Sequence, residues 1–252
     1  MKKKIIPALL VTASMLCIGA SAMALGIGAY IEAAGGESYR SVRSKSLDST
    51  GGKITAYGFK AGFIFDTCVA CDSSFSYRLK IGGGMSWADL MSQTNFNGFY
   101  LSNTFALAAV KNDYVKFWIG PQIGFSYRRG SSDRLFFGTD LPGASYLALF
   151  SSDFTPPLYY QAGAFKERVK YNIFGADAGL AFGVNLHLGE LASLSLEAGV
   201  KYGYGIGRQD RELYNIRGVV PYNRFKSDRL MEHGVEGYGS FAFMFRFVDT
   251  YQ

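Results

Sequence analysis

Cysteine, histidine and proline are scarce in this chain of 252 residues, which contains 3 cysteines, 2 histidines and 6 prolines. Charged residues are also few, at 18%, whereas hydrophobic residues make up 48% and aromatic residues 16%. This composition is too apolar and too aromatic for a disordered chain. Apart from a stretch at the N-terminus, no apolar run reaches the roughly 20 residues that a membrane-spanning helix needs. The sequence therefore argues against a helical membrane protein, and its 31 glycines, 21 phenylalanines and 17 tyrosines indicate many β-strands.

The N-terminus has the parts of a secretory signal peptide. Three lysines precede an apolar stretch over residues 5–20, and small residues then suit cleavage after Ala22 or Ala24. A membrane anchor is the alternative, but the apolar stretch is short for one and no stop-transfer flank follows it. We therefore divide the chain into a signal peptide, 1–24, and a mature domain, 25–252. The mature domain keeps 23 basic and 20 acidic residues, and this net charge of +3 argues against a nucleic-acid partner.

Alternation of apolar and polar residues with a period of two runs through the mature chain. It is clearest over 114–127, where Val115, Phe117 and Ile119 share one face and Lys116 and Trp118 share the other. Each alternating segment has 12 to 18 residues, and a tilted strand needs only about 9–11 to cross the hydrocarbon layer. Eight segments show the pattern: 24–36, 53–66, 75–87, 99–110, 114–128, 170–187, 193–207 and 235–247.

The connections between the segments alternate in length. They run 16, 8, 11, 3, 41, 5 and 27 residues, so every odd-numbered connection is longer than every even-numbered one. Transmembrane β-barrels show this asymmetry, with long extracellular loops and short periplasmic turns. We therefore predict an all-β fold, an eight-stranded antiparallel transmembrane β-barrel with both termini in the periplasm. The longest connection, 129–169, could be a plug, an apolar binding surface or a further hairpin. A further hairpin would give ten strands, which is the alternative to eight.

The signal peptide, the eight segments and a last segment rich in phenylalanine together resemble the OmpA/OmpX/OmpW-like superfamily of small outer-membrane β-barrels. The resemblance covers the mature chain and implies the outer membrane of a double-membrane bacterium. It implies the barrel-assembly machinery as a partner during biogenesis, with Phe247 as the C-terminal assembly signal, and outer-membrane lipid as a partner afterwards. OmpW-like members imply a channel for small apolar molecules, whereas OmpA/OmpX-like members imply a polar, ion-paired interior. No cofactor is implied.

Charged residues on the polar faces of the segments are predicted to line the barrel interior. An unpaired buried charge costs on the order of several kcal/mol, so we expect opposite charges to pair across strands. An eight-stranded barrel is only wide enough for its side chains to fill it. We therefore predict a packed polar core with a thin water path at its widest. Glycines on the inward face leave some room, so a narrow pore is the alternative. The predicted members of the polar core are Glu32, Lys60, Arg78, Lys80, Lys116, Asp177, Glu197, Lys201, Glu236 and Arg246.

Cys68 and Cys71 form a C-x-x-C motif between the second and third segments. A thioredoxin-like redox pair needs a helix after a strand, and a structural metal site needs four ligands. Neither context is present in the mature chain, so we predict no metal site. A small disulfide in a periplasmic turn, or two idle thiols, is the interpretation we favour for this exported protein.

The two histidines offer the only enzymatic arrangement we could assemble. His187 falls at the periplasmic end of its segment, whereas His233 lies near Ser227, Asp228 and Glu232 at the extracellular start of the last segment. An acid–base histidine beside carboxylates or a nucleophile is what a hydrolase at the barrel rim would need. The spacing matches no motif known to us, so we predict a protein that is not an enzyme.

Three functions remain open from the sequence. We expect a non-enzymatic outer-membrane protein that contributes to envelope structure and surface interaction through the long extracellular loops 129–169 and 208–234. The second, of net charge +2, could contact an anionic glycolipid or a host polymer, although an ordinary solvated loop is favoured. The alternative is a narrow, OmpW-like, porin-like channel for ions or small hydrophobic molecules. A lipid-modifying enzyme at the rim is the third. For the surface role or the channel, a host or small-molecule ligand would bind at the loops.

Overall fold

The computed structural model describes residues 25–43, 50–69, 73–90, 92–136, 165–215 and 221–247. Eight antiparallel strands form a closed barrel in which each strand pairs with its neighbours in the chain and β1 also pairs with β8. The predicted eight-stranded barrel is therefore confirmed. The proposed signal peptide, 1–24, lies outside the described residues. The strands are β1 (Leu25–Arg43), β2 (Thr50–Asp66), β3 (Phe75–Leu90), β4 (Ser92–Lys111), β5 (Val115–Phe136), β6 (Phe165–Leu188), β7 (Ala192–Asn215) and β8 (Pro221–Phe247).

Closure of the sheet satisfies the backbone in a medium that offers no water. Every strand has a hydrogen-bonded neighbour on both sides, so the ring has no open edge. Successive side chains of a strand point to opposite faces, and the apolar set points out: Ile31, Phe63 and Phe174 are each more than 60% exposed. Among the described residues, no helix has the length and apolar character needed to cross a bilayer.

The strand ends differ from the predicted ones at one end of the barrel only. Both termini of the described chain lie at the same end, which we call the periplasmic end, and there each strand ends within one residue of its predicted bound. At the opposite, extracellular end every strand is longer than predicted. The largest extension is in β8, which begins at Pro221 rather than at residue 235. Beyond the lipid the outward residues become polar, so the alternation that predicted the strands stops where the hydrocarbon layer does.

These extensions correct the predicted loops. The segment 208–234 is mostly strand, because β7 runs to Asn215 and β8 starts at Pro221. The segment 129–169 is likewise strand at both ends, and its central residues, 137–164, lie outside the described residues. The predicted asymmetry in connection length is also wrong for three of the connections. The first (44–49), the third (residue 91) and the seventh (216–220) are all shorter than the second (67–74). Upright strands, rather than loops, therefore form much of the extracellular part of the protein.

Candidate functional site

The barrel interior carries the polar residues that the alternation singled out. All 10 predicted residues lie on the inward face of their strands. Eight of them take part in ion pairs with one another or with further inward carboxylates. The other two contact backbone oxygens: Lys116 Nζ donates to the Cys68 carbonyl at 2.7 Å, and Arg246 donates to the Gly189 carbonyl at 2.7 Å.

Two lysines hold the centre of this network together. Lys80 Nζ lies 2.8 Å from Glu197 Oε1 and 3.4 Å from Glu32 Oε2. Lys60 Nζ lies 2.9 Å from Glu32 Oε1 and 2.9 Å from Glu236 Oε1. These five charged residues come from five strands, β1, β2, β3, β7 and β8, so the network ties strands across the interior rather than along one wall.

The network continues at both sides of this centre. On the periplasmic side Arg78 lies 3.3 Å from Asp66 and 3.8 Å from Glu197, and its guanidinium stands 4.2 Å from the ring centroid of Trp118. Asp66 is fully buried but is not among the predicted residues. It lies on the same face of β2 as Lys60, so its inward orientation could be predicted. It was missed because it is the last residue of the predicted segment.

A second cluster of charges, which we call the upper cluster, lies toward the extracellular end. Glu232 accepts from Arg40 at 2.6 Å and from Arg128 at 3.1 Å. The Arg40 guanidinium stands 5.3 Å from the ring centroids of both Phe96 and Tyr171. Sequence reasoning missed Arg40 and Glu232 because they lie beyond the predicted segments. The aromatic rings belong to an inward apolar cluster with Ile54, Ala88, Val169, Ile173 and Leu230.

A cavity of about 110 Å³ separates the upper cluster from the central lysines. Charged side chains of both layers line it, including Lys60, Arg128, Asp177, Lys201 and Glu232. This volume has room for a few waters and none for a substrate of ordinary size. Above it lies the apolar cluster around Phe96, whose side chains are buried.

The periplasmic end is filled by the turn after β2. Val69 is fully buried against Ile64 and Met244. A Cβ on Gly26 would lie 2.0 Å from Val69 Cγ2, so only glycine leaves space for this side chain. Cys68 is disulfide-bonded, and Cys71, its predicted partner, lies outside the described residues. Cys68 and Val69 are therefore buried inside this end of the barrel, where Lys116 donates to the Cys68 carbonyl.

The inward ion pairs are balanced in charge. The basic members are Arg40, Lys60, Arg78, Lys80, Arg128 and Lys201, and the acidic members are Glu32, Asp66, Asp177, Glu197, Glu232 and Glu236. Six positive charges thus meet six negative ones. Enclosed charges are tolerated when they are paired in this way, because each attracts a partner in a medium of low dielectric constant.

His233 and Glu232, which the sequence places next to each other at the rim, are not brought together by the fold. His233 faces outward, where its Nδ1 lies 3.0 Å from the Tyr202 hydroxyl and its ring packs against Tyr39. Glu232 faces inward to its arginines, because adjacent residues of a strand point to opposite faces. His187 lies beside the β6–β7 turn with Nδ1 3.1 Å from Ser193 Oγ. Among the described residues, no group of three or more histidine, cysteine and acidic side chains could hold a metal ion.

The outer wall carries a broad apolar belt. Phe59, Phe182 and Val200 are each more than half exposed, which in water would be an unfavourable surface of this extent. Tyr127 and Tyr202 lie toward its extracellular edge, as aromatic side chains do at a membrane interface. Phe247, the predicted assembly signal, is the last residue of β8, and its side chain faces outward, 56% exposed.

Comparison with known proteins reveals a likeness in structure rather than in sequence. No protein-family model and no curated protein matches the chain. The solved structure of the outer-membrane protein OprG from Pseudomonas aeruginosa is 13% identical and covers 92% of this chain and 99% of its own, with a TM-score of 0.53. The chain has the fold of the small outer-membrane β-barrels. The predicted fold, an eight-stranded outer-membrane β-barrel, is thus confirmed.

Two more distant structures were also found. Ail, the attachment invasion locus protein of Yersinia pestis, is 9% identical, with a TM-score of 0.30 over 86% of this chain and 98% of its own. The outer-membrane protease OmpT of Escherichia coli is 8% identical, with a TM-score of 0.32 over 90% of this chain and 99% of its own. Both resemble this chain less than OprG does. The barrel fold with its apolar belt makes this chain an integral protein of the bacterial outer membrane.

Proposed function

We propose that the protein is a closed, non-enzymatic barrel that stabilises the envelope and presents its extracellular part at the cell surface. The observation that carries the proposal is the filled interior. Side chains occupy it in three layers: the Val69 turn, the central ion pairs and the apolar cluster around Phe96. Ion flow would require all three layers to move, and the central layer could open only by separating buried, paired charges.

The surface role is supported by the length of the strands. A tilted strand crosses the hydrocarbon layer in about 9–11 residues, whereas β6 and β7 have 24 residues each and β8 has 27. The outward apolar residues of these strands end at Phe174, Ile206 and Met231, so about a third of each strand lies beyond the lipid on the extracellular side. This part of the wall raises the extracellular ends of the strands above the membrane, where a host molecule or another cell-surface component can reach them.

The alternative is a narrow channel, and conductance separates the two. We would purify the full-length gene product from outer membranes, confirm its folding by heat-dependent migration on a gel, and insert it into planar bilayers. We expect no stable openings. Reproducible openings whose size changes with Lys60→Gln or Glu197→Gln would establish the channel and overturn the proposal. A wide porin in the same bilayers shows that the assay detects insertion.

A further inference from the structure

A row of arginines crosses the outer wall directly above the apolar belt. Arg129 of β5 is the register partner of Asn172 of β6, and Asn172 is the partner of Arg208 of β7. Arg208 in turn faces Arg229 of β8, and Arg229 faces Arg43 of β1. All four arginine side chains are exposed. We call these five residues the arginine row.

The arginine row concentrates positive charge on the outer wall. Residues directly opposite on neighbouring strands have their Cβ atoms about 4.5–5.5 Å apart, and like charges in such pairs are destabilising. Arg208, Arg229 and Arg43 are opposite one another in this way on three consecutive strands. Among the described residues, no ion pair joins an arginine of the row to a carboxylate. An anion from outside the chain would relieve this repulsion.

The basic residues farther from the membrane are arranged differently. Arg168 Nε lies 2.9 Å from Asp133 Oδ1, and Lys170 Nζ lies 3.0 Å from Glu212 Oε2. Acidic side chains therefore accompany the basic ones higher on the same wall. At the arginine row, which is the level nearest to the lipid, no carboxylate of the described residues makes such a pair.

From β5 to β8 the row immediately beneath the arginine row is apolar. Tyr127, Phe174, Ile206 and Met231 are register partners two residues below the arginine row. Tyr127, Phe174 and Ile206 are 37%, 62% and 45% exposed. The Tyr127 hydroxyl donates to Asn172 Oδ1 at 3.2 Å, which leaves the amide nitrogen as the group that can donate outward. Within about 7 Å along the strands, the wall thus changes from an apolar to a cationic surface.

We propose that the arginine row and the apolar row beneath it bind a phosphate-bearing lipid of the outer leaflet. Its acyl chains lie along the row of Tyr127 and Phe174, and its phosphate groups lie against Arg129, Arg208 and Arg229. Guanidinium groups bind phosphate oxygens through paired, charge-assisted hydrogen bonds, which suits this head group. The proposal concerns the outer wall and holds whether or not the interior conducts.

Binding would be measured on the full-length product purified in a non-ionic detergent. The probe is diphosphoryl lipid A, titrated while bound lipid is counted by native mass spectrometry. We expect the double variant Arg208→Gln and Arg229→Gln to weaken binding at least about tenfold, since it removes two charge-assisted contacts. The control variant Lys53→Gln and Lys111→Gln removes the same net charge elsewhere and should bind as the wild type does.

Thermal unfolding provides a readout that a merely structural role would not change. Without lipid, the Arg208→Gln and Arg229→Gln variant should be as stable as the wild type or more stable, because a repulsive pair is gone. With diphosphoryl lipid A, the wild type should gain more in Tm than the variant, since a ligand stabilises the state that binds it.

Three results would overturn the proposal. Equal binding of diphosphoryl lipid A by the double variant and the wild type would exclude the arginine row as the site. Equal binding of the fully dephosphorylated lipid by the wild type would exclude phosphate as the recognised group. Protection of the wild type by inorganic pyrophosphate to the same extent as by the lipid would identify free phosphate, and not a lipid, as the ligand.

Discussion

Replacement of Glu197 by glutamine should destabilise the barrel, because it removes one charge from the centre of a balanced network. Glu197 is 5% exposed, and its carboxylate lies 2.8 Å from Lys80 Nζ and 3.8 Å from Arg78 Nη1. It also accepts from the Tyr238 hydroxyl at 2.8 Å, a hydrogen bond that glutamine can keep. The substitution therefore changes the charge while leaving the shape and one contact in place.

The magnitude follows from these separations. At an effective dielectric constant of about 20, unit charges at the two distances attract by about 6 and about 4 kcal/mol. Glutamine avoids the desolvation that the carboxylate incurs, and Lys80 keeps Glu32 at 3.4 Å, so the net loss is smaller. Breaking a buried pair by removing one partner typically costs about 3–5 kcal/mol. We expect about 3 kcal/mol in the free energy of unfolding.

The assay is urea unfolding of the barrel in lipid vesicles, with Glu37→Gln as the matched control. Glu37 also pairs with a lysine, Lys53, at 2.8 Å, but the two side chains are 59% and 68% exposed. Such a pair contributes less than about 1 kcal/mol. If Glu197→Gln cost no more than Glu37→Gln, charge pairing would not be what stabilises the interior.

A double-mutant cycle separates charge from packing in this test. Adding Lys80→Gln to Glu197→Gln removes one charge of each sign and restores neutrality. We expect the double variant to lose about 1–3 kcal/mol less than the two single losses together, as groups in direct contact do. Additive losses would mean that the two side chains act independently. That result would contradict a direct interaction across the 2.8 Å contact.

Three further predictions test other parts of the structure. Gly26→Leu should destabilise the barrel by about 1–3 kcal/mol, because the new side chain clashes with Val69. Gly52→Ala is the control, because a Cβ there meets nothing within 4 Å. If both variants unfolded at the same urea concentration, Val69 would not be packed inside the barrel. Phe182→Lys, in the apolar belt, should lower the free energy of unfolding by up to about 2–4 kcal/mol, and Ser131→Lys, above the belt, by about 0–1 kcal/mol. Equal losses would mean that the lipid boundary does not lie between these two residues. Glu232→Gln leaves two buried arginines without their carboxylate and should cost about 3 kcal/mol in the same titration.

Much of the fold could be predicted because a lipid environment imposes a period of two on every spanning strand. The alternation located the periplasmic ends of all eight strands to within one residue. It did not locate the extracellular ends, because above the lipid both faces of the wall meet water and the pattern ends. The 14 residues added to the start of β8 are the largest consequence, and they turned a predicted loop into a strand.

The sequence by itself determined which residues face inward, because parity in a strand is a local property. Lys60, Lys80 and Glu197 could be assigned to the interior without knowing their partners. Only the tertiary structure decided that Lys80 meets Glu197 across the barrel, or that Arg208 and Arg229 are opposite each other on its outside. Such pairs depend on the register between strands, which is set by closure of the whole ring and not by any one segment.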